Sequence, residues 1–252
     1  MTTMLRKLIR KFGQSESQEF PAILSTGLAG INLKFHALVR EDYSRIKHFD
    51  GERTYFELLI QDLRPDDSFI DVGAFTGQVS SFAAMRCSQS RVLAIEPDPE
   101  FCARIRDNLA LNRIDNVEVV GAGLADQAGE LSLNTSGGKG WAPSFVDKGL
   151  DGSITVPVTT LDEVLSKHDI QPDVLKIDVE GFEYRVLLGG REALSSRKLR
   201  SVYIEFHPRL VRAAGDDIAE TICFLNQFGF CFEYFEPRKQ EITAIAHRRS
   251  FK

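Results

Sequence analysis

Phe69-Ile70-Asp71-Val72-Gly73-Ala74-Phe75-Thr76-Gly77 is the stretch on which the reading of this chain turns. It begins as a short apolar strand that ends around a carboxylate, and its glycines then open a turn into a helix. Further on, Leu93-Ala94-Ile95-Glu96-Pro97 forms a second strand with a carboxylate at its carboxyl end. Strand, glycine turn, helix, strand and carboxylate are the parts with which a doubly wound sheet holds a nucleoside-type ligand. The second acidic residue takes the ribose hydroxyls. Gly73 allows the tight turn, and Gly77 lets the backbone come close to the ligand.

The residue that opens the turn narrows the ligand. A dinucleotide site carries Gly-x-Gly-x-x-Gly there, because a pyrophosphate rests on bare amides. This chain has Asp-x-Gly-x-x-x-Gly, with Asp71 in the place of the first glycine. A carboxylate is repulsive beside a pyrophosphate and favourable beside an amino group and a sulfonium. The motif therefore points to S-adenosylmethionine as cofactor and away from a nicotinamide-dependent oxidoreductase. Asp71 or Glu96 alone would be an ordinary strand-ending cap or turn residue; their combination with Gly73 and Gly77 carries the cofactor reading.

At 252 residues, 27% charged and 43% hydrophobic, the chain can bury a full core as one α/β domain with an extension. A net charge of −5 gives no reason to expect nucleic acid as a partner. Cys87, Cys102, Cys223 and Cys231 show no Cys-x-x-Cys spacing. They read as buried free thiols of a reducing compartment, which makes the cytoplasm the expected location. No apolar run reaches transmembrane length, and the first apolar residues are too interrupted by charge for a secretory signal. Met4, Leu5, Leu8, Ile9 and Phe12 nevertheless fall at helical spacing opposite Arg6, Lys7, Arg10 and Lys11. Such a basic amphipathic helix, over residues 4–12, can lie on an anionic membrane surface; docking on the domain or fraying is the favoured expectation.

Along the chain, residues 13–22 read as a polar linker and Ile31–Leu38 as a half-buried strand. Tyr55–Leu63 has helical periodicity and stops before Pro65. From Ser68 onward strand and helix patterns alternate, which predicts a parallel sheet covered on both faces. Strands are expected at Phe69–Val72, Val92–Ile95, Val117–Val120, Val174–Ile177 and Val202–Phe206. Helices are expected at Gly77–Cys87, Pro99–Asn112, Thr160–His168, Phe182–Leu194 and Asp217–Phe228. Thr160 and Glu163 form a capping box, and Phe230–Phe235 with Thr243–His247 suggest a closing hairpin. Between strands at Glu130–Leu133 and Ile154–Val158, about twenty residues lack periodicity, which in a compact domain marks a functional or disordered loop. This loop, residues 134–153, holds Trp141 beside glycines and is expected to contact the acceptor. Residues 1–50 thus form an N-terminal extension and 51–252 the main domain.

In open α/β sheets ligands lie off the carboxyl ends of the strands. There the chain places Asp71 and Gly73, then Glu96, then Leu124, Ala125 and Asp126. The fourth strand adds Asp178, Glu180 and Gly181, and the fifth Glu205 and His207. Lys176-Ile177-Asp178-Val179-Glu180-Gly181-Phe182-Glu183 sets three carboxylates at a strand-to-helix junction. Glu183 fits plain capping of a helix N-terminus. Asp178 and Glu180 could hold substrate hydroxyls, or with Glu205 a divalent cation through hard oxygen ligands. No His- or Cys-rich spacing supports a transition metal. Of five histidines only His207 falls at this edge, where its ordinary pKa suits removal of a hydroxyl proton.

With these motifs the chain resembles the FkbM-type S-adenosylmethionine-dependent methyltransferases. The matching residues are Asp71-Val72-Gly73-Ala74 with Gly77, Ala94-Ile95-Glu96-Pro97-Asp98-Pro99 and Asn108-Leu109-Ala110-Leu111-Asn112. Thr159-Thr160-Leu161-Asp162, Leu175 to Glu183 and Glu205-Phe206-His207 complete the set, over roughly residues 52–210. The resemblance implies a Rossmann-like, doubly wound seven-stranded sheet with its last strand antiparallel, and O-methylation of a sugar or polyketide-type hydroxyl on a small molecule. It implies cofactor positions at Asp71, Gly73, Ala74, Gly77, Glu96, Pro97 and Asp178, with Asp126 near the adenine. Asp178, Glu180 and His207 would face the acceptor, His207 as base. Phe75 stands where the family usually has asparagine. A non-catalytic cofactor-binding scaffold is the rival reading; it would keep the Asp71–Glu96 pocket and lack an acceptor site.

Overall fold

The computed structural model describes residues 19–134, 144–146, 153–238 and 240–249. The amphipathic stretch at residues 4–12 and most of the 134–153 loop, Trp141 included, lie outside these residues. Strands β1 (Ala22–Leu28) and β2 (Ile31–Ala37) form an antiparallel hairpin. Helix α1 (Glu41–His48), a 3-10 turn at Phe49–Gly51 and helix α2 (Arg53–Asp62) follow. β1 and α1 go beyond the sequence expectation, and both have a physical reason. In β1 the exposed Ile23 and the buried Thr26 blur the alternation. In α1 the buried face is only Asp42 and Ile46, so no apolar stripe marks it.

The alternating region runs β3 (Phe69–Val72), α3 (Gln78–Arg86), β4 (Val92–Ile95), α4 (Pro99–Asn112) and β5 (Val117–Val120). A smaller sheet interrupts it, built from β6 (Gly123–Leu124), β7 (Gly129–Asn134), β8 (Ser144–Val146) and β9 (Ser153–Thr159). β8 lies inside the stretch expected to be wholly aperiodic and pairs antiparallel with β7; three residues are too few to show a period. The main pattern resumes with α5 (Leu161–Lys167), β10 (Val174–Ile177), α6 (Glu183–Leu188), α7 (Arg191–Ser195) and β11 (Ser201–Phe206). Helices α8 (Pro208–Ala213) and α9 (Ile218–Gln227) precede the closing hairpin of β12 (Phe230–Pro237) and β13 (Ile242–Arg248).

The main sheet has seven strands in the order β12-β13-β11-β10-β3-β4-β5. Neighbours are parallel except at β13, which runs antiparallel to both β11 and β12. The last strand of the chain is thus the reversed one, as the resemblance implied. Every residue of β3, β4, β10 and β11 is buried, the burial expected of strands covered on both faces. One face packs against α5, α6, α7 and α9 through residues such as Leu161, Val186, Leu194 and Phe224. The other packs against β1, β2, α1, α2 and α3, with Phe35, Phe49, Leu59 and Phe82 at its centre.

Local chemistry starts and stops these helices. Asp98 caps α4 by accepting from the Glu100 N–H, with Pro99 at the first helical position. Thr160 and Glu163 make the expected capping box of α5. The single helix expected over Phe182–Leu194 is instead two, α6 and α7, broken at Gly189 and Gly190. A Cβ on Gly189 would lie 2.2 Å from the Ala125 carbonyl, and one on Gly190 2.7 Å from Leu161, so this segment is pressed against its neighbours. No helix among the described residues is long and apolar enough to cross a membrane.

Candidate active site

Chain order reverses direction between β3 and β10: β4 and β5 lie on one side, β11 and β13 on the other. At such a switch point the loops diverge and leave a crevice at the carboxyl ends of the strands. A cavity of about 690 Å³ opens there, a size suited to a cofactor with its substrate. Gly73 makes the crevice possible. Its φ is +78°, and a Cβ would sit 1.7 Å from the Asp178 carbonyl oxygen, so only glycine lets the β3 turn meet the end of β10. Ala74, Thr76, Glu96, Pro97, Asp178, Glu180 and His207 line the cavity with it.

Asp71 has a different surrounding from the one its motif suggests. It is fully buried and does not line the cavity. Ser80 Oγ donates to one carboxylate oxygen at 2.5 Å, and Lys176 Nζ stands 2.9 Å from the other. The ammonium this carboxylate meets is therefore the protein's own. Lys176 also donates to the Gly73 carbonyl at 3.1 Å and lies 3.5 Å from Asp178. Burial opposes its charge, but Asp71 and Asp178 outweigh burial and hold its pKa above the ordinary lysine value. Asp71 and Lys176 thus tie the glycine turn to β10 from beneath. Gly77 likewise lies behind the cavity wall, at φ +73°, where a Cβ would press on Ile105 at 2.8 Å.

Glu96 ends β4 with its carboxylate held in place. The Phe75 N–H donates to Oε2 at 2.9 Å and the Asp98 N–H to Oε1 at 3.0 Å. Burial nevertheless pushes its pKa up to about 8. With two of about four acceptor sites used, its ionised form can still accept hydrogen bonds from ligand hydroxyls. Along the β5 side the lining comes from Ala122, Gly123 and Leu124, whereas Asp126 is exposed and off the cavity.

On the β10–β11 side the carboxylates converge on His207. Its Nδ1 donates to Glu183 Oε1 at 2.9 Å, and its Nε2 lies 3.5 Å from Glu180 and 4.0 Å from Asp178. Burial alone would keep the imidazole neutral. The Glu183 hydrogen bond and the charges of Asp178 and Glu180 outweigh it and raise the His207 pKa to about 9. Burial, opposed by the His207 charge, pushes Glu180 up to about 7. Glu180 also sits at φ +51°, in the left-handed region that a β-carbon disfavours, a strain typical of side chains held for function.

A second carboxylate group lies beside the first. Glu52 and Glu205 share a hydrogen bond, and burial raises the pKa of both. Arg238 Nη1 stands 2.6 Å from Glu52, 3.5 Å from Glu205 and 3.8 Å from Glu241. Among the described residues, Glu205, His207 and Glu241 are the His/Cys/Asp/Glu group close enough to share a metal ion. That differs from the expected cation set of Asp178, Glu180 and Glu205. At both groups a protein cation, Arg238 or the His207 imidazolium, already faces the carboxylates.

Four contributors escaped the sequence reading. Glu183 looked like a helix-capping anion, and it is the residue that holds His207. Lys176 had a legible signal, a lysine within the otherwise apolar strand Val174–Ile177. Glu52 and Arg238 carried none, since each stands far in sequence from the motifs.

Residues 71–232 match the methyltransferase FkbM domain model. The hexuronic acid methyltransferase AglP of Haloferax volcanii is 26% identical over 224 residues, covering 88% of each chain. The 2-O-methyltransferase NoeI of Sinorhizobium fredii is 26% identical over 160 residues, 57% of this chain and 64% of that one. Among solved structures, the methyltransferase FkbM from Methylobacillus flagellatus superposes with a TM-score of 0.56 at 18% identity. The match covers 77% of this chain and 46% of that one. The chain thus spans most of AglP, under two thirds of NoeI and less than half of the solved protein. The domain match runs from Asp71 to Phe232, about two thirds of the sequence, and takes in Glu96, Asp178, Glu180 and His207: by it, this chain belongs to the methyltransferase FkbM domain family.

Proposed function

We propose that the protein methylates a hydroxyl of a sugar or related small molecule, with S-adenosylmethionine as donor. One observation carries the reading: a nucleoside cradle and a proton-handling cluster open on the same cavity. The printed activities of AglP and NoeI, hexuronic acid methylation and 2-O-methylation, support a sugar-type acceptor. The cofactor, when bound, supplies a methyl group activated on a sulfonium. Glu96 offers acceptor sites to ribose hydroxyls, Gly73 lets the turn close on Asp178 at the cavity edge, and Ala122–Leu124 give an apolar edge for the adenine. In this reading residues 51–252 are the catalytic unit, 1–50 an extension, and the 134–153 loop contacts the acceptor.

The acceptor hydroxyl loses its proton as the new bond forms, so a base must stand near it. A histidine that keeps its proton to about pH 9 is not that base at neutral pH. Glu180 titrates near 7, lines the cavity and is free to take the proton. We assign it the base, with His207 as the imidazolium that orients Glu180 and Asp178, itself held by Glu183. Arg238 and His207 supply positive charge to the carboxylates of both groups.

Thermal shifts with S-adenosylhomocysteine and NAD, together with transfer of methyl-labelled donor to neutral sugars and hexuronic acids, test the proposal. Saturating S-adenosylhomocysteine should raise Tm by roughly 5–10 °C, NAD should not, and label should appear on a sugar hydroxyl. A shift with NAD would overturn the cofactor assignment. Tight binding with no transfer to any acceptor would favour the scaffold.

A further inference from the structure

Among the described residues, the site has one cation that its own carboxylates leave short of partners. Arg45, from α1, lines the cavity beside the glycine turn and stacks its guanidinium over the Phe75 ring at 4.8 Å. Its Nε pairs with Asp50 at 3.1 Å, while Nη1 is buried with no hydrogen-bond partner among the described residues. Leaving a buried charged donor unpaired is costly, and the cost is relieved by an anionic oxygen. Among the described residues, the other cations of the cavity that are not exposed are committed. Lys176 holds Asp71 and Asp178, Arg238 holds Glu52 and Glu205, and His207 lies among three carboxylates. Arg209 lines the cavity but is exposed, two residues past His207 on the acceptor side.

We infer that Arg45 binds the carboxylate of the donor's amino-acid half, so that the N-terminal extension completes the cofactor site. The inference rests on the proposed use of S-adenosylmethionine, a ligand with a carboxylate, an ammonium and a sulfonium. The carboxylates of the β10–β11 side suit the two cationic groups and repel the anionic one. Arg45 stands over Phe75, in the turn of Gly73–Gly77. It also lies outside residues 71–232, in a part of the chain that the family match does not reach.

Calorimetric titration of the full chain with S-adenosylmethionine and with decarboxylated S-adenosylmethionine, which differ only in that carboxylate, tests the inference. Wild type should prefer the carboxylated ligand, and Arg45→Met should lose about 10- to 100-fold of its affinity for it. The variant should bind the decarboxylated ligand as wild type does, and Arg45→Lys should fall between. Equal losses for both ligands would reduce Arg45 to a structural support for Phe75 and overturn the assignment, as would an unchanged Arg45→Met. If wild type bound neither ligand, the donor assignment itself would fall, and this inference with it.

Discussion

At the scale of single residues, the assignment that carries most weight is the order of proton affinities, with Glu180 near 7 below His207 near 9. If Glu180 is the base, kcat rises as pH passes about 7 and is level before pH 9. If His207 were the base, the rise would come only near 9. Glu180→Gln should lower kcat by about 10²–10⁴-fold and leave affinity for S-adenosylhomocysteine close to wild type. His207→Gln removes the cation that opposes burial at Glu180, so the rising limb of its pH–rate profile should move above 7. A limb that stayed in place in that variant would remove the coupling between the two.

Among the elements, the N-terminal hairpin and helices stand out because they form one wall of the core and bring Arg45 and Glu52 to the cavity. Phe82 of α3 joins them to the sheet, fully buried with its ring 5.9 Å from Phe35 and 6.0 Å from Phe49. Phe82→Ala should destabilise the protein by about 3–5 kcal/mol, read as a lower urea midpoint with an unchanged m-value. The regular elements of the sheet were legible because their signals are local. Val-, Ile- and Leu-rich runs mark β3, β4, β10 and β11, and Asp98-Pro99 and Thr160-x-x-Glu163 mark helix starts. β1 and α1 were not legible, because pairing with β2 and packing on the hairpin supply what their own patterns lack. The break between α6 and α7 was missed for a related reason: two adjacent glycines can sit inside a helix unless a neighbour, here Ala125 or Leu161, presses against them.

For the whole molecule, the same buried groups set how stability depends on pH. His207 has a folded pKa of about 9, above its ordinary 6.5, so its contribution is full below 6.5 and lost as pH rises through 9. Glu96, raised from 4.5 to about 8, favours the protonated form, and keeping it ionised costs more as pH climbs through that range. Both act in one direction. Tm should therefore fall by roughly 5–15 °C from pH 6 to pH 9, at about 2–4 °C per kcal/mol for this size. His207→Gln should flatten the part of that slope above 6.5. A Tm that rose over the interval would contradict the buried cluster as described.

From the sequence alone came the doubly wound sheet, the reversed last strand through its family resemblance, and the edge at which the site lies. These follow from periodicity, glycine turns and strand-end carboxylates, which depend on neighbours close in the chain. The tertiary structure decided what each charged group does. Asp71 meets Lys176 beneath the turn, Glu183 holds His207 as well as the Gly181 N–H at the start of its helix, and Arg45 crosses from the extension to the glycine turn. Proton affinity and charge pairing depend on burial and on partners distant in sequence, and only the folded chain brings those together.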